Sequence, residues 1–404
     1  MPRSLGLTTY LAFARRQPPQ LAAITTPRPA GEMVWLHCAD PKRVRTLAKL
    51  GQRLTRQRGA SAFLITTPQT KPPQGLPEEA IWQSCPSENP NDIKAFLTHW
   101  QPDLCLWLGP ELRPALIDAV FERNIPSVLL EANRTKIDQK RRWGPEPTRA
   151  TLMRFTKIFA QGKEARSRFK KLLPETAEIT LSGELMEEAQ ALPVQDSDLE
   201  ELRGSLSGRP VWLAARLQPK ELPLVLNAYR QMLRLSFRTL LVVVPDNAED
   251  APDMHRTIQE DGWRVADWEA GDFPGEDTQV LFAQTPDELG LWYRLAPVSL
   301  VGSSLVAGAG GRDPLEPAAL GSAILYGPSV RRYLNSYTRL ANVGAARIVK
   351  DAESLTAALM FLAAPDQAAA MAHAGWQVVS DSAAVSDMVI EHAHALLDQQ
   401  EAVS

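Results

Sequence analysis

The chain has 404 residues, of which 44% are hydrophobic and 23% charged, a formal net charge of −3, and three cysteines. Such a length exceeds one ordinary hydrophobic core and predicts two or three domains of roughly 150 residues each. The composition excludes a disordered or fibrous chain, and Cys38, Cys85 and Cys105 lack paired or metal-like spacing, which excludes a disulfide framework or a zinc site and fits a reducing compartment.

At the start of the chain, Ser4 to Arg16 (SLGLTTYLAFARR) lacks the charged, then apolar, then cleavable order of a secretion signal. No stretch approaches the roughly 18 apolar residues of a membrane span. A cytoplasmic protein is expected. In a helix, Leu7, Leu11 and Ala14 share one face, with Tyr10 beside them and Arg15 and Arg16 at the end. That pattern suits an interfacial anchor, or a helix packed on the protein's own core.

The small net charge hides an asymmetry. Residues 1–175 carry 28 Lys and Arg against 15 Asp and Glu, or +13, which leaves −16 for residues 176–404. Opposite signs predict two domains with different partners. Between Pro41 and Pro77 stand Lys42, Arg43, Arg45, Lys49, Arg53, Arg56, Arg58 and Lys71 without one acid. The run reads either as a solvated helix face or as a surface for phosphates. Nucleic acid is not expected there, because only Phe63 could stack on a base.

Short apolar runs then recur, each followed by a helical pattern: residues 33–38, 62–66, 104–108, 127–131, 211–215, 240–244, 280–283, 298–302 and 323–327. Continuous apolar strands alternating with helices predict parallel sheets covered on both faces. The polar stretch 184–210 separates the two series and reads as a linker with one short helix. Its Asp196-Ser197-Asp198 resembles a metal-nucleotide DxD, although helix capping is the commoner use of such residues.

After the run 298–302 comes GAGGRDPLEPAALG, residues 308–321. Asp313 can cap a helix, Pro314 suits its first position and Glu316 sits three residues after the cap. The glycines allow close approach of backbone to a ligand, and the carboxyl end of a parallel strand is where open α/β sheets bind one. An anion such as a nucleotide phosphate is the expected guest.

These residues carry a resemblance. DELGLWYRLAPVSLVGSSLV (287–306) followed by GGRDPLEPAALGSAILYGPS (310–329) resembles the nucleotide-binding half of the 3-deoxy-D-manno-octulosonic acid (Kdo) transferases. Shorter echoes at 34–38, 101–117, 125–130, 159–162, 179–185, 209–215 and 240–250 follow in the family's order. The resemblance implies an α/β GT-B fold of two Rossmann-like parallel-sheet domains facing a central cleft. The expected division is an acceptor domain at 1–190, a linker at 191–208 and a nucleotide-sugar domain at 209–404. It further implies an inverting transfer from a CMP-sugar donor to a phosphorylated lipid acceptor at the anionic inner face of the inner membrane, with no cofactor and no metal. A non-catalytic relative that binds nucleotide or lipid as a partner in envelope assembly is the alternative.

Carried over residue by residue, Ser304, Gly310, Gly311, Arg312 and Glu316 are the expected nucleotide-binding residues. Glu316 matches a glutamate that accepts ribose hydroxyls, while Arg312-Asp313 replaces the family's His-Asn. Arg43 stands where the family's general base, a glutamate, belongs, and a guanidinium cannot take up a proton. Asp40 and Glu111 are the nearest replacement carboxylates. The family's Ser-Thr-His loop reads ARLQPKE (215–221), its Arg-His pair reads Asp246-Asn247, and its Asn-Ala-Arg reads Glu131-Ala132-Asn133.

Overall fold

The computed structural model describes residues 4–59, 61–73, 76–109, 111–133, 147–187 and 192–402. They fall into two compact units, Met1–Glu187 with Ser382–Ser404, and Glu188–Asp381. The first holds α1 (Leu5–Ala14), β1 (Glu32–Cys38), α2 (Val44–Arg58), β2 (Ser61–Thr67), β3 (Ile81–Ser84), α3 (Pro90–Trp100), β4 (Leu104–Leu108), α4 (Pro114–Phe121), β5 (Ser127–Ala132), α5 (Thr148–Leu152), β6 (Lys157–Ala160), α6 (Lys163–Leu172) and β7 (Ile179–Leu181). The second holds α7 (Asp196–Leu206), β8 (Val211–Leu217), α8 (Leu222–Leu233), β9 (Leu240–Pro245), α9 (Ala251–Glu260), β10 (Val265–Asp267), β11 (Val280–Phe282), α10 (Leu289–Leu295), β12 (Val298–Val301), α11 (Leu315–Ala319), β13 (Ala323–Tyr326), α12 (Leu334–Asn342), β14 (Ala346–Ile348) and α13 (Ala352–Leu362). A long helix, α14 (Pro365–Glu401), belongs to both.

Each unit is built on a seven-stranded sheet, ordered β3-β2-β1-β4-β5-β6-β7 in the first and β10-β11-β9-β8-β12-β13-β14 in the second. Every pairing is parallel. The nine apolar runs are nine of the ten central strands, β6 being the tenth. They are buried on both faces, as EMVWLHC of β1 and LLVVVP of β9 show. In both sheets the first strand borders strands from both directions, so the order reverses between β1 and β4 and between β8 and β12. A crevice for a ligand opens at the carboxyl ends of such strands.

The expected boundaries shift at two places. Residues 196–206, expected as a short helix within a linker, form α7, but its Leu199, Leu202 and Leu206 pack into the second unit's core with β8 and β9 residues. Its Asp196 and Asp198 lie in the first turn, where the helix dipole favours acids. The chain after Ser382, expected in the second domain, returns to the first unit. There Val389, Ile390, Ala393 and Leu397 cover β1 and β2 residues, because an alanine-rich helix with this apolar stripe buries it wherever a sheet face stands bare.

The basic run is also placed differently from a phosphate-binding surface. Arg45 and Lys49 pair with Glu187 at 3.1 and 3.0 Å, Arg53 with Asp387, and Arg56 with Glu79 at 3.5 Å. Arg58 grips Glu32 at 2.6 Å and Asp398 at 2.7 Å. The run therefore serves largely to dock the protein's own acids, several of them on α14. In α1, Leu7 and Ala14 are buried and Tyr10 donates its hydroxyl to Glu88, so the face expected to meet a membrane packs on the core. Leu5, at 88% exposure, and Phe13, at 64%, point outward. Among the described residues no single helix is long and apolar enough to cross a membrane.

Candidate functional site

At the carboxyl edge of the first sheet, the loop after β1 and the loop after β4 meet: the Ala39 amide donates to the Leu108 carbonyl at 3.1 Å. Asp40 and Glu111, the two expected carboxylates, lie on these loops, Asp40 exposed and Glu111 half-buried. An open cleft lined by Pro41, Pro68, Gln69, Thr70 and Lys71 adjoins the Asp40 loop. Below them His37 is wholly buried, stacked on Trp107 with centroids 3.9 Å apart, and its Nδ1 lies 3.0 Å from the Thr66 hydroxyl. Burial, with the nearby Arg113 charge, pushes its pKa down to about 3. This histidine is a neutral packing group at pH 7.

Arg43 is held from three sides. Its guanidinium donates to both carboxylate oxygens of Glu131, at 3.1 and 2.6 Å, to Glu184 at 3.0 Å, and to the Leu185 carbonyl. Glu131 also accepts from the Leu185 amide and sits at φ +49° where β5 and β6 slip register. Burial lowers the Arg43 pKa, but Glu131 and then Glu184 outweigh it, so the net shift is upward. Burial raises that of Glu131, against the pull of Arg43. The pair joins β5, the loop after β1 and the segment after β7. Arg43 is a structural cation here and no base.

In the second unit, Glu221 is the pivot. It is fully buried, and its carboxylate accepts from four backbone amides: Gln218 at 2.9 Å, Ser303 at 2.8 Å, Ser304 at 2.9 Å and Leu305 at 2.7 Å. One side chain thus ties the loop after β8 to the loop after β12, across the point where strand order reverses. Sequence reading passed over it, since a lone glutamate before a helix looks like a surface residue. The available signal was its place at the end of an apolar strand.

The expected nucleotide residues divide into two groups. Ser304 is buried; its hydroxyl donates to the Val301 carbonyl at 2.5 Å and accepts from the Gly327 amide at 2.8 Å. Its side chain holds the loop through these two bonds. Gly311, at φ +82°, presses on Val330, whose Cα would lie 3.1 Å from an added Cβ. The Gly311 amide donates to Ser303 and the Gly310 carbonyl accepts from Arg332, which fixes the loop's course. Arg312 donates through Nε to Asp246 at 2.6 Å and through a second nitrogen to its other oxygen, while Asp246 also accepts from the Ser303 hydroxyl at 2.9 Å. The hydrogen bond that Arg312 donates to Asp246 raises the Arg312 pKa most, so this cation is neutralised within the protein. Asp313 accepts from the Leu315 amide at 3.0 Å, one residue from a standard cap, and Pro314 precedes the five-residue α11. Glu316 is 9% exposed in that helix.

Near Glu316 the hydroxyl of Tyr293 is buried without a hydrogen-bond partner among the described residues. Burial raises its pKa well above the ordinary value; the charge of Glu316 adds to the rise and that of Arg216 opposes it. These groups share one neighbourhood at the carboxyl edge of the second sheet. It can accept hydroxyl groups at Glu316 and oppose negative charge at Arg216.

The model of the 3-Deoxy-D-manno-octulosonic-acid transferase (kdotransferase) family matches residues 11–187. The 3-deoxy-D-manno-octulosonic acid transferase of Haemophilus influenzae is 26% identical over 302 residues, covering 74% of this chain and 70% of that protein. Its counterpart in Bordetella pertussis is 26% identical over 367 residues, covering 87% and 85%. Among solved structures, the C-terminal CMP-Kdo binding domain of WaaA from Acinetobacter baumannii is 26% identical, covering 45% of this chain and 97% of that one at a TM-score of 0.41. The family model thus matches the first unit, and Kdo transferases similar to this chain at 26% identity run through both.

Proposed function

We propose that the protein moves a sugar, Kdo by the names of its relatives, from a CMP-activated donor to a hydroxyl of a phosphorylated lipid acceptor in lipopolysaccharide synthesis. The observation that supports this most is the glycine loop Gly310–Gly311 beside buried Glu316 at the strand-order reversal of the second sheet. In this reading Glu316 accepts the ribose hydroxyls, and the glycines admit the phosphate to the backbone. Ser304 and Arg312 shape the loop that does so. The acceptor binds at the carboxyl edge of the first sheet. A carboxylate there takes the proton of its hydroxyl, the oxygen bonds to the anomeric carbon with inversion, and the bond to phosphate breaks with its electron pair leaving on CMP.

Asp40 is the proposed base, because it is exposed on the loop after β1 beside the cleft at Pro41. Glu111 is the second candidate. Attachment to the anionic inner face of the inner membrane is part of the proposal, through the outward face of α1 with Leu5, Phe13, Arg15 and Arg16.

The test is a transfer assay with CMP-Kdo and a lipid A precursor. Loss of general-base help typically costs 10²- to 10⁴-fold in rate. Asp40→Asn should fall by that order, with Glu111→Gln close to wild type; the reverse result moves the base to Glu111. Arg43→Glu alone would put three carboxylates together, so the informative variant is Arg43→Glu with Glu131→Asn. Activity only in that double variant means that the scaffold is competent and the base alone is missing. Inactivity in every folded variant, wild type included, removes the transferase reading and leaves the non-catalytic one.

A further inference from the structure

Two arginines stand at the carboxyl edge of the second sheet on either side of the glycine loop, and they are held differently. Arg312 is clamped by Asp246. Arg216, half-buried at the end of β8, has no hydrogen-bond or ion-pair partner for its guanidinium among the described residues. Its backbone lies at φ +55°, a region that non-glycine residues seldom adopt and that is kept where neighbours impose it. The neighbours are visible. The Ser303 hydroxyl donates to the Arg216 carbonyl at 3.2 Å, and Gly302 lies so close that a Cβ there would sit 2.6 Å from the same oxygen. The pairing of β8 with β9 shifts register between Ala214 and Leu217, around this residue.

A guanidinium whose donors are not spent within the protein leaves them for an oxyanion of a ligand. The charges of Glu316, Arg216 and Asp313 all act on the buried Tyr293 hydroxyl, which lacks a hydrogen-bond partner among the described residues, so a phosphate brought here by a nucleotide would meet two carboxylates and needs a cation. We infer that Arg216 holds the phosphate of the donor nucleotide. The inference rests on the donor reading above. The planar guanidinium can take two phosphate oxygens at once. It also opposes the charge that grows on the phosphate as the bond to the sugar breaks, so it acts on the leaving group as well as on binding.

Calorimetry on the full chain with CMP, cytidine and free Kdo separates the sources of an oxyanion. Losing a charge-assisted pair should weaken CMP binding about 10- to 100-fold in Arg216→Gln. Cytidine, which lacks the phosphate, and Kdo, which carries only a carboxylate, should bind as they do to wild type. Arg216→Lys keeps the charge without the fork and should fall between. Arg238→Gln, which removes an exposed arginine at the other end of the sheet, should match wild type for all three. Melting temperatures establish that each variant is folded, and the lysine variant carries the test if the glutamine variant is not. Equal CMP affinity in Arg216→Gln and wild type overturns the inference, as does an equal loss for cytidine or a loss confined to Kdo. A wild type that binds no CMP overturns the donor reading itself, which is a distinguishable result.

Discussion

Both sheets reverse strand order beside their first strand, yet their carboxyl edges use charge differently. In the first unit Arg43, at the position of the family's base, is consumed by Glu131 and Glu184, and the remaining carboxylates Asp40 and Glu111 stand on the loops around it. In the second unit the carboxylates Glu221 and Asp246 are consumed, one by backbone amides and one by Arg312, while Arg216 has no such partner among the described residues. Arg43 in the first unit and Glu221 and Asp246 in the second are thus spent on partners within the protein. A residue of the expected charge is therefore a poor guide to a binding site until its counter-charge is located.

The largest test of that contrast is Glu221→Ala. Four amides would lose their acceptor, those of Ser303 and Ser304 buried and those of Gln218 and Leu305 partly so, and each buried unsatisfied group costs about 1–3 kcal/mol. We expect at least about 4 kcal/mol lost in urea unfolding, and the loss of CMP binding in whatever remains folded. Glu221→Gln should recover part of both, since its amide oxygen still accepts. If Glu221→Ala unfolds like wild type, the loop after β12 is held by something else, and the account of the second edge fails.

How far the sequence anticipated this depends on range. Apolar runs revealed nine of the ten central strands, because a strand covered on both faces needs no partner to be recognised. β3, β6, β7, β10 and β14 escaped: all are three or four residues long, and all but the central β6 are partly exposed edge strands without a continuous run. The return of α14 to the first unit was invisible, because its apolar stripe does not name the sheet it covers. Similarly, Arg43 with Glu131 and Arg312 with Asp246 are 88 and 66 residues apart in the chain. Each could be seen as a departure from the family, but not as one half of a pair. Arg216 did leave a signal, a charge inside the otherwise apolar VWLAARL.

A smaller effect distinguishes the units by acidity. Among the described residues, the histidines held below their ordinary value, His37, His392 and His394, all belong to the first unit. For His37, burial lowers the folded pKa to about 3. The unfolded chain, near 6.5, therefore binds the proton first, and stability falls as pH drops from about 6.5 towards 3. From pH 6.5 to pH 5 this one group should remove about 2 kcal/mol, at 1.36 kcal/mol per unit. Urea titrations at pH 7 and pH 5, followed by hydrogen exchange of each unit, should show the first unit opening earlier in acid. His37→Gln should flatten its slope, whatever it does to stability at pH 7. An unchanged slope would mean that His37 is not the group that senses acid.

The smallest expected effect concerns α1, whose two faces repeat the contrast on one helix. Leu7 and Ala14 are buried, so polar changes there would damage the fold, whereas Leu5 and Phe13 already face water. Surface changes of this kind usually shift stability within about 0.5 kcal/mol. Leu5→Ser with Phe13→Ser should therefore melt like wild type. If the outward face enters a lipid interface, each lost apolar side chain removes up to about 1.5–3 kcal/mol of burial there, and partial insertion would recover only a fraction. Roughly tenfold weaker sedimentation with anionic vesicles is the expected reading, with residual binding that declines as salt screens Arg15 and Arg16. Neutral vesicles should hold both proteins weakly. Equal sedimentation of wild type and the double variant, at low and high salt, would leave α1 as a packing element alone and transfer any membrane contact to another part of the first unit.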